Sequence, residues 1–226
     1  MLSYDLAILW PREFAMMSKR FFLSGRVERD LLLGRTGVRY RVLPQPQAGG
    51  RTPMAQVPYL ESFLFDYRGE VAPRVMVVSK TEVVADIGQQ IERLFARGWD
   101  IRSTAVIDHE PAAAGRVQPP VPPSATLRTD TANRVVVDAG VGETGGYVVM
   151  LDSFSDDWRA TVDGQPATLL RANGLFRAVR LNPGPHLVEF RYRPRAFLIG
   201  AAASAAALAM VLGLFVWPAL RSVPLR

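Results

Sequence analysis

Few side chains in this sequence could perform acid–base or metal chemistry. The 226 residues include no cysteine, which excludes disulfides, thiolate catalysis and the common zinc sites. The two histidines are His109 and His186. His109 lies between Asp108 and Glu110, but successive residues on a strand point to opposite faces, so these three cannot converge on one ion. His186 falls on the apolar face of a predicted strand, where we expect a core or edge residue. We therefore predict no catalytic residue, no metal and no cofactor.

Two carboxylates beside an aromatic ring form the most distinctive polar cluster of the sequence. Asp156 and Asp157 directly precede Trp158. Such a group could contact sugar hydroxyls, so these three residues are candidates for a ligand-binding site. A second interpretation, which we favour, is a turn with solvated acids followed by a core tryptophan. A third would make the chain an enzyme with Asp156 and Asp157 as its catalytic acids.

The remaining composition excludes several classes of function. The sequence has 27 basic and 21 acidic residues, and Lys19 and Lys80 are its only lysines. The arginines are scattered singly rather than gathered on one face, so we do not expect nucleic acid as a partner. The glycine-rich segment GVGETGG at residues 140–146 joins two predicted strands. Because no helix follows it to bind a phosphate, we predict a flexible hairpin loop there.

A long apolar segment close to the C-terminus predicts membrane association. Residues 197–220 are free of charged side chains. A helix of this length, at about 1.5 Å per residue, spans about 36 Å and can cross a hydrocarbon core of about 30 Å. We therefore predict a transmembrane helix with the lipid bilayer as its partner. Its Ala/Gly/Ser-rich first half favours packing against other membrane helices. The preceding arginines, Arg191, Arg193 and Arg195, are expected to meet lipid headgroups.

The N-terminus does not have the pattern of a signal peptide. The first residues lack a basic region and a long apolar stretch, and Asp5 comes early. Two topologies remain open. The chain is either tail-anchored, with its domain in the cytosol, or the last part of a longer polytopic protein that places the domain outside.

Apolar periodicity predicts the elements between the two ends. Helices are expected at residues 11–23 and 86–97, the second capped by Asp86 with Ile87, Ile91, Leu94 and Phe95 on one face. Short strands are expected at residues 38–43, 63–67, 75–78, 104–107, 134–138 and 147–151.

The clearest strand pattern lies between residues 133 and 192. Trp158, Ala160 and Val162 alternate with polar residues, and Asp163-Gly164 predicts a tight hairpin turn. Asn173-Gly174 is a second turn signal of the same kind. Many short strands separated by such turns favour a β-sandwich or jelly roll.

The sequence therefore predicts a mainly β fold with one or two short helices and one C-terminal transmembrane helix. The predicted portions are a helical lead-in (1–33), a strand and helix portion (34–110), a Pro-rich linker or loop (111–124), a β-sandwich portion (125–194) and the transmembrane helix (197–220).

The last 60 residues of the pattern resemble the C-terminal end of bacterial YfhO-type membrane proteins. The similar elements are an aspartate-containing turn, a tryptophan, "VDG", "RAN", "FRAV" and "VEFRYRP" running into the last membrane helix. Weaker similarity extends upstream to GVRYRVL and APRVMVVSKTEVV. The matching positions are Asp152, Trp158, Val162 to Gly164, Arg171 to Asn173, Phe176 to Val179 and Val188 to Pro194.

This resemblance implies a relation to glycosyltransferases that use a polyprenyl-phosphate-linked sugar. In that family the catalytic acid lies in an early extracytoplasmic loop, and no such portion is present here. The resemblance thus implies a non-catalytic extracytoplasmic domain on the bacterial cytoplasmic membrane, with envelope glycan as a possible ligand. One departure is that the family usually has aromatic-Pro-Gly before the tryptophan, whereas this chain has Phe154-Ser155-Asp156-Asp157 before Trp158. The alternative function is a stand-alone, tail-anchored protein-interaction module.

Overall fold

The structure is a computed structural model that describes residues 12–43, 53–57, 62–66 and 71–221. The first eleven residues of the predicted lead-in lie outside the described residues. The helices are α1 (Arg12–Leu23), α2 (Arg26–Arg35), α3 (Ile87–Phe95) and α4 (Arg195–Arg221). The strands are β1 (Tyr40–Leu43), β2 (Ala55–Val57), β3 (Ser62–Asp66), β4 (Val75–Val78), β5 (Lys80–Val83), β6 (Thr104–Ile107), β7 (Ser124–Thr131), β8 (Arg134–Val141), β9 (Gly146–Ser153), β10 (Trp158–Val162), β11 (Gln165–Ala167), β12 (Leu170–Ala172), β13 (Phe176–Leu181) and β14 (Gly184–Tyr192).

Two large sheets make the body of the molecule, so the predicted mainly β class is confirmed. One sheet has six strands in the order β4-β9-β13-β12-β6-β5, and the other has five in the order β11-β10-β14-β8-β7. β1, β3 and β2 form a separate small sheet. Strand pairing in the described residues is antiparallel except between β5 and β6, which α3 connects. A parallel pair needs such a crossover because a tight turn cannot join its strands.

The central strands of the six-stranded sheet are buried on both faces. On one face, Val148 and Val179 share a buried core with Val188 of the five-stranded sheet. On the other face, Val149 shares a buried core with residues of the helices, such as Leu94 of α3. Strands buried on both faces are apolar along their whole length, which explains the run GYVVM at the start of β9. The molecule therefore has three layers: the helices, the six-stranded sheet and the five-stranded sheet.

The helical layer differs in part from the sequence prediction. α1 and α3 match it, and the Asp86 carboxylate accepts the Gln89 N–H at 2.8 Å as the predicted cap. α2 was not predicted. Its buried residue Arg35 donates hydrogen bonds of 2.8 Å to the carbonyls of Leu94 and Ala96 at the end of α3. Carbonyls at a helix C-terminus lack helical partners, so this tertiary contact joins α2 to α3.

Both predicted turn signals adopt left-handed backbone. Asp163 and Gly164 have φ values of 52° and 80°, and Val162 pairs with Gln165, so the loop has two residues as predicted. Asn173 and Gly174 have φ values of 52° and 73° in a longer loop between β12 and β13. A Cβ on Gly174 would lie 2.7 Å from the Ile91 side chain of α3. Glycine is therefore required there by backbone conformation and by close packing.

The prediction of a hairpin at GVGETGG is wrong. β8 belongs to the five-stranded sheet and β9 to the six-stranded sheet, so this segment crosses from one sheet to the other. Apolar strands that follow each other in sequence suggest pairing, but two stacked sheets offer an equally short connection. The local pattern does not distinguish the two cases.

Residues 111–123, which we call the strap, lie along the turn between β13 and β14. The strap has little regular structure, but its backbone is hydrogen-bonded to that turn. Ala114 N–H donates to the Arg180 carbonyl at 2.9 Å, and Gln118 N–H donates to the Pro183 carbonyl at 3.0 Å. Prolines lack the N–H needed for a sheet interior, so the strap joins the sheet only through an isolated parallel bridge between Ala114 and Leu181. The portions predicted at 34–110 and 125–194 meet in one six-stranded sheet.

Candidate functional site

The three predicted ligand-binding residues lie at one end of the five-stranded sheet but face different surroundings. Trp158 begins β10 and is half-buried, opposite Tyr192 on β14 with ring centroids 5.2 Å apart. Asp156 is exposed. Asp157 accepts the Arg193 N–H on its carbonyl at 2.8 Å and the Arg195 N–H on its carboxylate at 3.3 Å. Asp157 thus holds the start of α4, a role the sequence did not indicate.

One face of the Trp158 indole is covered by a buried arginine. The Arg177 guanidinium carbon lies 3.7 Å from the Trp158 ring centroid and 5.5 Å from that of Phe190. Arg177 is on β13 and is 1% exposed. A guanidinium on an indole face is a favourable cation–π contact when both groups are desolvated. This contact occupies one face of the indole, as expected in the preferred interpretation of Trp158 as a packing residue.

Arg177 is paired with a carboxylate on the neighbouring strand. Its Nη2 donates to the Asp152 carboxylate at 2.7 Å. Burial lowers the pKa of Arg177, and the charge and hydrogen bond of Asp152 oppose that shift. Its Nε and Nη1 have no hydrogen-bond partner among the described residues. The cost of burying this cation is therefore offset mainly by one carboxylate and two aromatic rings.

The pairing continues outward as an alternating chain of charges. Arg74, just before β4, donates to Asp152 in a bidentate arrangement of 2.9 and 3.0 Å. Arg74 also pairs with Asp130 on β7. Hydrogen bonds to Asp152 and then Asp130 raise the pKa of Arg74. We call Asp130, Arg74, Asp152 and Arg177 the arginine–aspartate chain. It has two positive and two negative charges and joins both sheets.

This chain is suited to holding strands together rather than to catalysis. Guanidinium groups do not release protons at any physiological pH, and each carboxylate is held by a guanidinium. From the sequence, Asp152, Arg177 and Arg74 stand out only as positions within the family resemblance, and no pairing among them is predicted. The available signal was Arg177 itself, which interrupts an apolar strand whose neighbours Phe176 and Ala178 are buried. An arginine there predicts a buried partner of opposite charge.

A second polar cluster lies at the opposite end of the five-stranded sheet. The His186 side chain is fully buried, with Nδ1 2.8 Å from the Asp163 carboxylate and Nε2 3.0 Å from the Asn182 carbonyl. Asp163 also accepts the Leu187 N–H at 2.9 Å and a backbone hydrogen bond from Arg116 of the strap. We call these groups the aspartate–histidine cluster. The prediction that His186 lies on a buried face is confirmed.

The aspartate–histidine cluster resembles an acid–base pair but lacks a free nitrogen. Both ring nitrogens of His186 lie within hydrogen-bond distance of an oxygen, so neither is free. Burial acts to raise the pKa of Asp163. The hydrogen bonds from His186, Leu187 and Arg116 outweigh it and hold that pKa below its usual value. With Nε2 occupied by a backbone carbonyl, this pair cannot activate a nucleophile as it stands.

The region of His109 offers no metal site. β6 ends at Ile107, so Asp108, His109 and Glu110 lie beyond the strand and not on it, which corrects the sequence argument. Asp108 is 3.1 Å from His109, whereas Glu110 pairs with Arg180 at 3.0 Å. Within the described ranges, no three His, Asp or Glu side chains are grouped to hold a metal.

A groove of about 800 Å³ runs between α1, α2 and α3. Arg20 crosses it and pairs with Glu92 at 2.8 Å and Glu28 at 3.3 Å. The hydrogen bond that Arg20 donates to Glu92 raises the pKa of Arg20, and burial acts against this shift. Its walls contain side chains of both signs of charge, with Arg93 and Arg97 beside the acids.

Comparison of the chain with protein-family models, with curated proteins and with solved structures finds no match.

Proposed function

We propose that this chain is a non-catalytic β-domain with a membrane anchor, the C-terminal part of a YfhO-type bacterial membrane protein. In this proposal the domain lies on the extracytoplasmic side of the cytoplasmic membrane. It supports the handling of a glycan or of its acceptor by the rest of the protein.

The observation that carries the proposal is the exposed apolar helix α4. Residues Arg195–Leu212 are long and apolar enough to cross a membrane, and none of that window is buried. Phe197, Ile199 and Met210 are each 70% exposed or more. A continuous apolar surface of this extent is unfavourable in water and suits a bilayer or neighbouring membrane helices.

The motif positions shared with the family support a non-catalytic role. "VDG" is the two-residue turn at Asp163-Gly164. "RAN" ends in Asn173, which pairs with Val106 of β6 through its own N–H at 2.7 Å and its side-chain oxygen at 2.8 Å. "FRAV" contains the buried Arg177. Each motif has a structural explanation in the fold, and none supplies a nucleophile or a free acid.

Membrane fractionation and site-specific labelling test the anchor and the side of the membrane. The 226 residues contain no cysteine, so Glu143→Cys introduces the first thiol of the domain at an exposed position. We expect the chain to stay in the membrane fraction after alkaline carbonate extraction. In its natural genetic context, the variant should react with an impermeant maleimide in intact cells more than the unsubstituted protein does. Reaction only after lysis would favour the tail-anchored interaction module, and release by carbonate would contradict the anchor.

A transfer assay tests the absence of catalysis. We expect residues 1–226 alone to transfer no sugar from a polyprenyl-phosphate donor, because the described residues offer no free acid–base pair. Robust transfer that is lost in Asp156→Ala and Asp157→Ala would contradict the proposal and favour the third interpretation of these acids.

A further inference from the structure

The end of the five-stranded sheet next to α4 is organised around the first turn of that helix. β14 ends at Tyr192 and α4 begins at Arg195. The connection is therefore two residues long. Tyr192 N–H donates to the Asn133 carbonyl at 2.9 Å, and Asp157 accepts the N–H groups of Arg193 and Arg195. These bonds hold the helix start against the strand ends, so the domain and α4 cannot separate freely.

This geometry determines how close the sheet end lies to a bilayer that contains α4. Phe197 follows Arg195 by two residues, a rise of about 3 Å along the helix. The headgroup layer is roughly 5–7 Å thick on each side of the hydrocarbon core. If Phe197 lies at the edge of the core, Arg195 lies among the headgroups. The Trp158–Tyr192 pair is placed at the adjoining strand ends, where such aromatic rings favour the membrane interface.

The charges at this end are not all neutralised within the protein. Arg191 and Arg134 both pair with Glu189, at 2.5 Å and 3.0 Å. By contrast, the exposed side chains of Arg193 and Arg195 have no ion pair in the part of the chain that the structure describes.

Arg159 is a third exposed cation at this end. It donates only to backbone carbonyls, those of Asp156 and Trp158, so its charge is also uncompensated. Asp156 is exposed nearby and Asp157 lies at the start of α4, so these two carboxylates offset part of the local positive charge.

We propose that this end is a membrane-contact surface in which Arg159, Arg193 and Arg195 bind the phosphates of anionic lipid. Asp157 is a positioning residue that orients the last two. The inference rests on the proposed membrane anchor and adds the chemical class of lipid. Each arginine near an anionic surface favours binding by about five-fold, so three of them give a measurable preference for anionic lipid.

The test uses the full chain reconstituted in phosphatidylcholine vesicles, with and without phosphatidylglycerol. Electron paramagnetic resonance of chain-labelled lipids measures how much of each lipid is immobilised at the protein. We expect a several-fold preference of the wild-type chain for phosphatidylglycerol, weakened by high salt. Arg193→Gln/Arg195→Gln should lose most of it. The matched control Arg97→Gln/Arg116→Gln removes two exposed charges from the helical layer and the strap and should keep it.

The possible outcomes separate this inference from the anchor. Immobilised lipid without a preference for phosphatidylglycerol would overturn the inference while the anchor stands. An equal loss in the control variant would also overturn it, because net charge alone would then explain the preference. If no immobilised lipid is detected and carbonate releases the chain, the proposed anchor itself fails. As an independent check, Asp156→Asn should strengthen the preference.

Discussion

The two polar clusters at opposite ends of the five-stranded sheet both join separate segments of the chain, but they do so with different charged groups. The arginine–aspartate chain lies at the end next to α4 and joins both sheets across Trp158. The aspartate–histidine cluster lies at the far end and joins the β10–β11 turn, β14 and the strap. The first cluster has arginines, whose charge is constant over physiological pH. The second pairs a histidine with Asp163, a carboxylate whose pKa is lowered in the folded protein by hydrogen bonds that outweigh its burial.

The far end should therefore respond to acid. It depends on a single carboxylate, that of Asp163, which accepts three hydrogen bonds. Loss of this charge at low pH is expected to loosen the strap.

The largest expected effect comes from breaking the arginine–aspartate chain at its centre. Asp152→Ala leaves Arg177 buried without a counter-charge, which typically costs about 3–5 kcal/mol of unfolding free energy. Arg177→Met should cost less, because Asp152 keeps Arg74 as a partner and a methionine fills similar space. Chemical denaturation of the detergent-solubilised chain measures both variants. Equal losses, or a larger loss in Arg177→Met, would contradict this assignment.

The next largest effect is expected for Trp158→Ala. Truncation of a buried tryptophan costs about 3–5 kcal/mol. Trp158 is half-buried, so we expect about 3 kcal/mol and a clearly lower melting temperature. Asp156→Ala, on the exposed turn, should change stability by less than about 0.5 kcal/mol.

The same variants test sugar binding. A ligand-binding role for Asp156, Asp157 and Trp158 predicts a melting-temperature increase with some oligosaccharide that each of the three alanine variants loses. An almost unchanged melting temperature for Trp158→Ala without sugar would contradict the packing role and favour the binding site.

A smaller and pH-dependent effect is expected at the far end. The pKa of Asp163 is lowered in the folded protein, so Asp163 stabilises the fold above its unfolded pKa of about 4. That contribution is lost as the pH falls through the folded pKa. Asp163→Asn should lower the free energy of unfolding by about 1–2 kcal/mol near pH 7. As the pH is lowered from about 5 to about 2, the stability of this variant should fall less than that of the wild-type chain.

Denaturation over this pH range, with Asp156→Asn as the exposed control, checks the assignment. Hydrogen exchange should show the strap opening before β9 and β13. An acid dependence that is the same in Asp163→Asn and in the wild-type chain would contradict the role of Asp163.

The smallest effect on stability is expected from removing the membrane helix. Deletion from Ala196 onward keeps the backbone contacts of Arg193 and Arg195 with Asp157. Every described side chain of residues 201–212 is exposed. The truncated chain should be soluble and β-rich, with a melting temperature close to that of the full chain. Circular dichroism and thermal denaturation measure this, and an unfolded product would show that α4 stabilises the domain.

Local patterns in the sequence predicted the elements whose reasons are local. The cap at Asp86, the apolar face of α3 and the Asp163-Gly164 turn depend on residues within a few positions of each other, and all three are confirmed. The alternation of β10 and β14 predicted their buried faces for the same reason. The apolar run near the C-terminus predicted a helix able to span a membrane from composition and length alone.

What the sequence could not determine is how distant elements meet. Arg177 and Asp152 are 25 positions apart, and Arg74 is a further 78 positions from Asp152. α2 was missed because its position depends on the contact between Arg35 and the end of α3. The assignment of β8 and β9 to different sheets likewise has no local cause.

The physical reason is the range of the interactions. Backbone conformation, capping and side-chain alternation act between neighbours in the sequence, so they can be read along the chain. Counter-charges, sheet order and the burial of an arginine depend on which strands become adjacent. Only the tertiary structure shows that Trp158 packs on Arg177 and that Asp157 accepts hydrogen bonds at the start of α4.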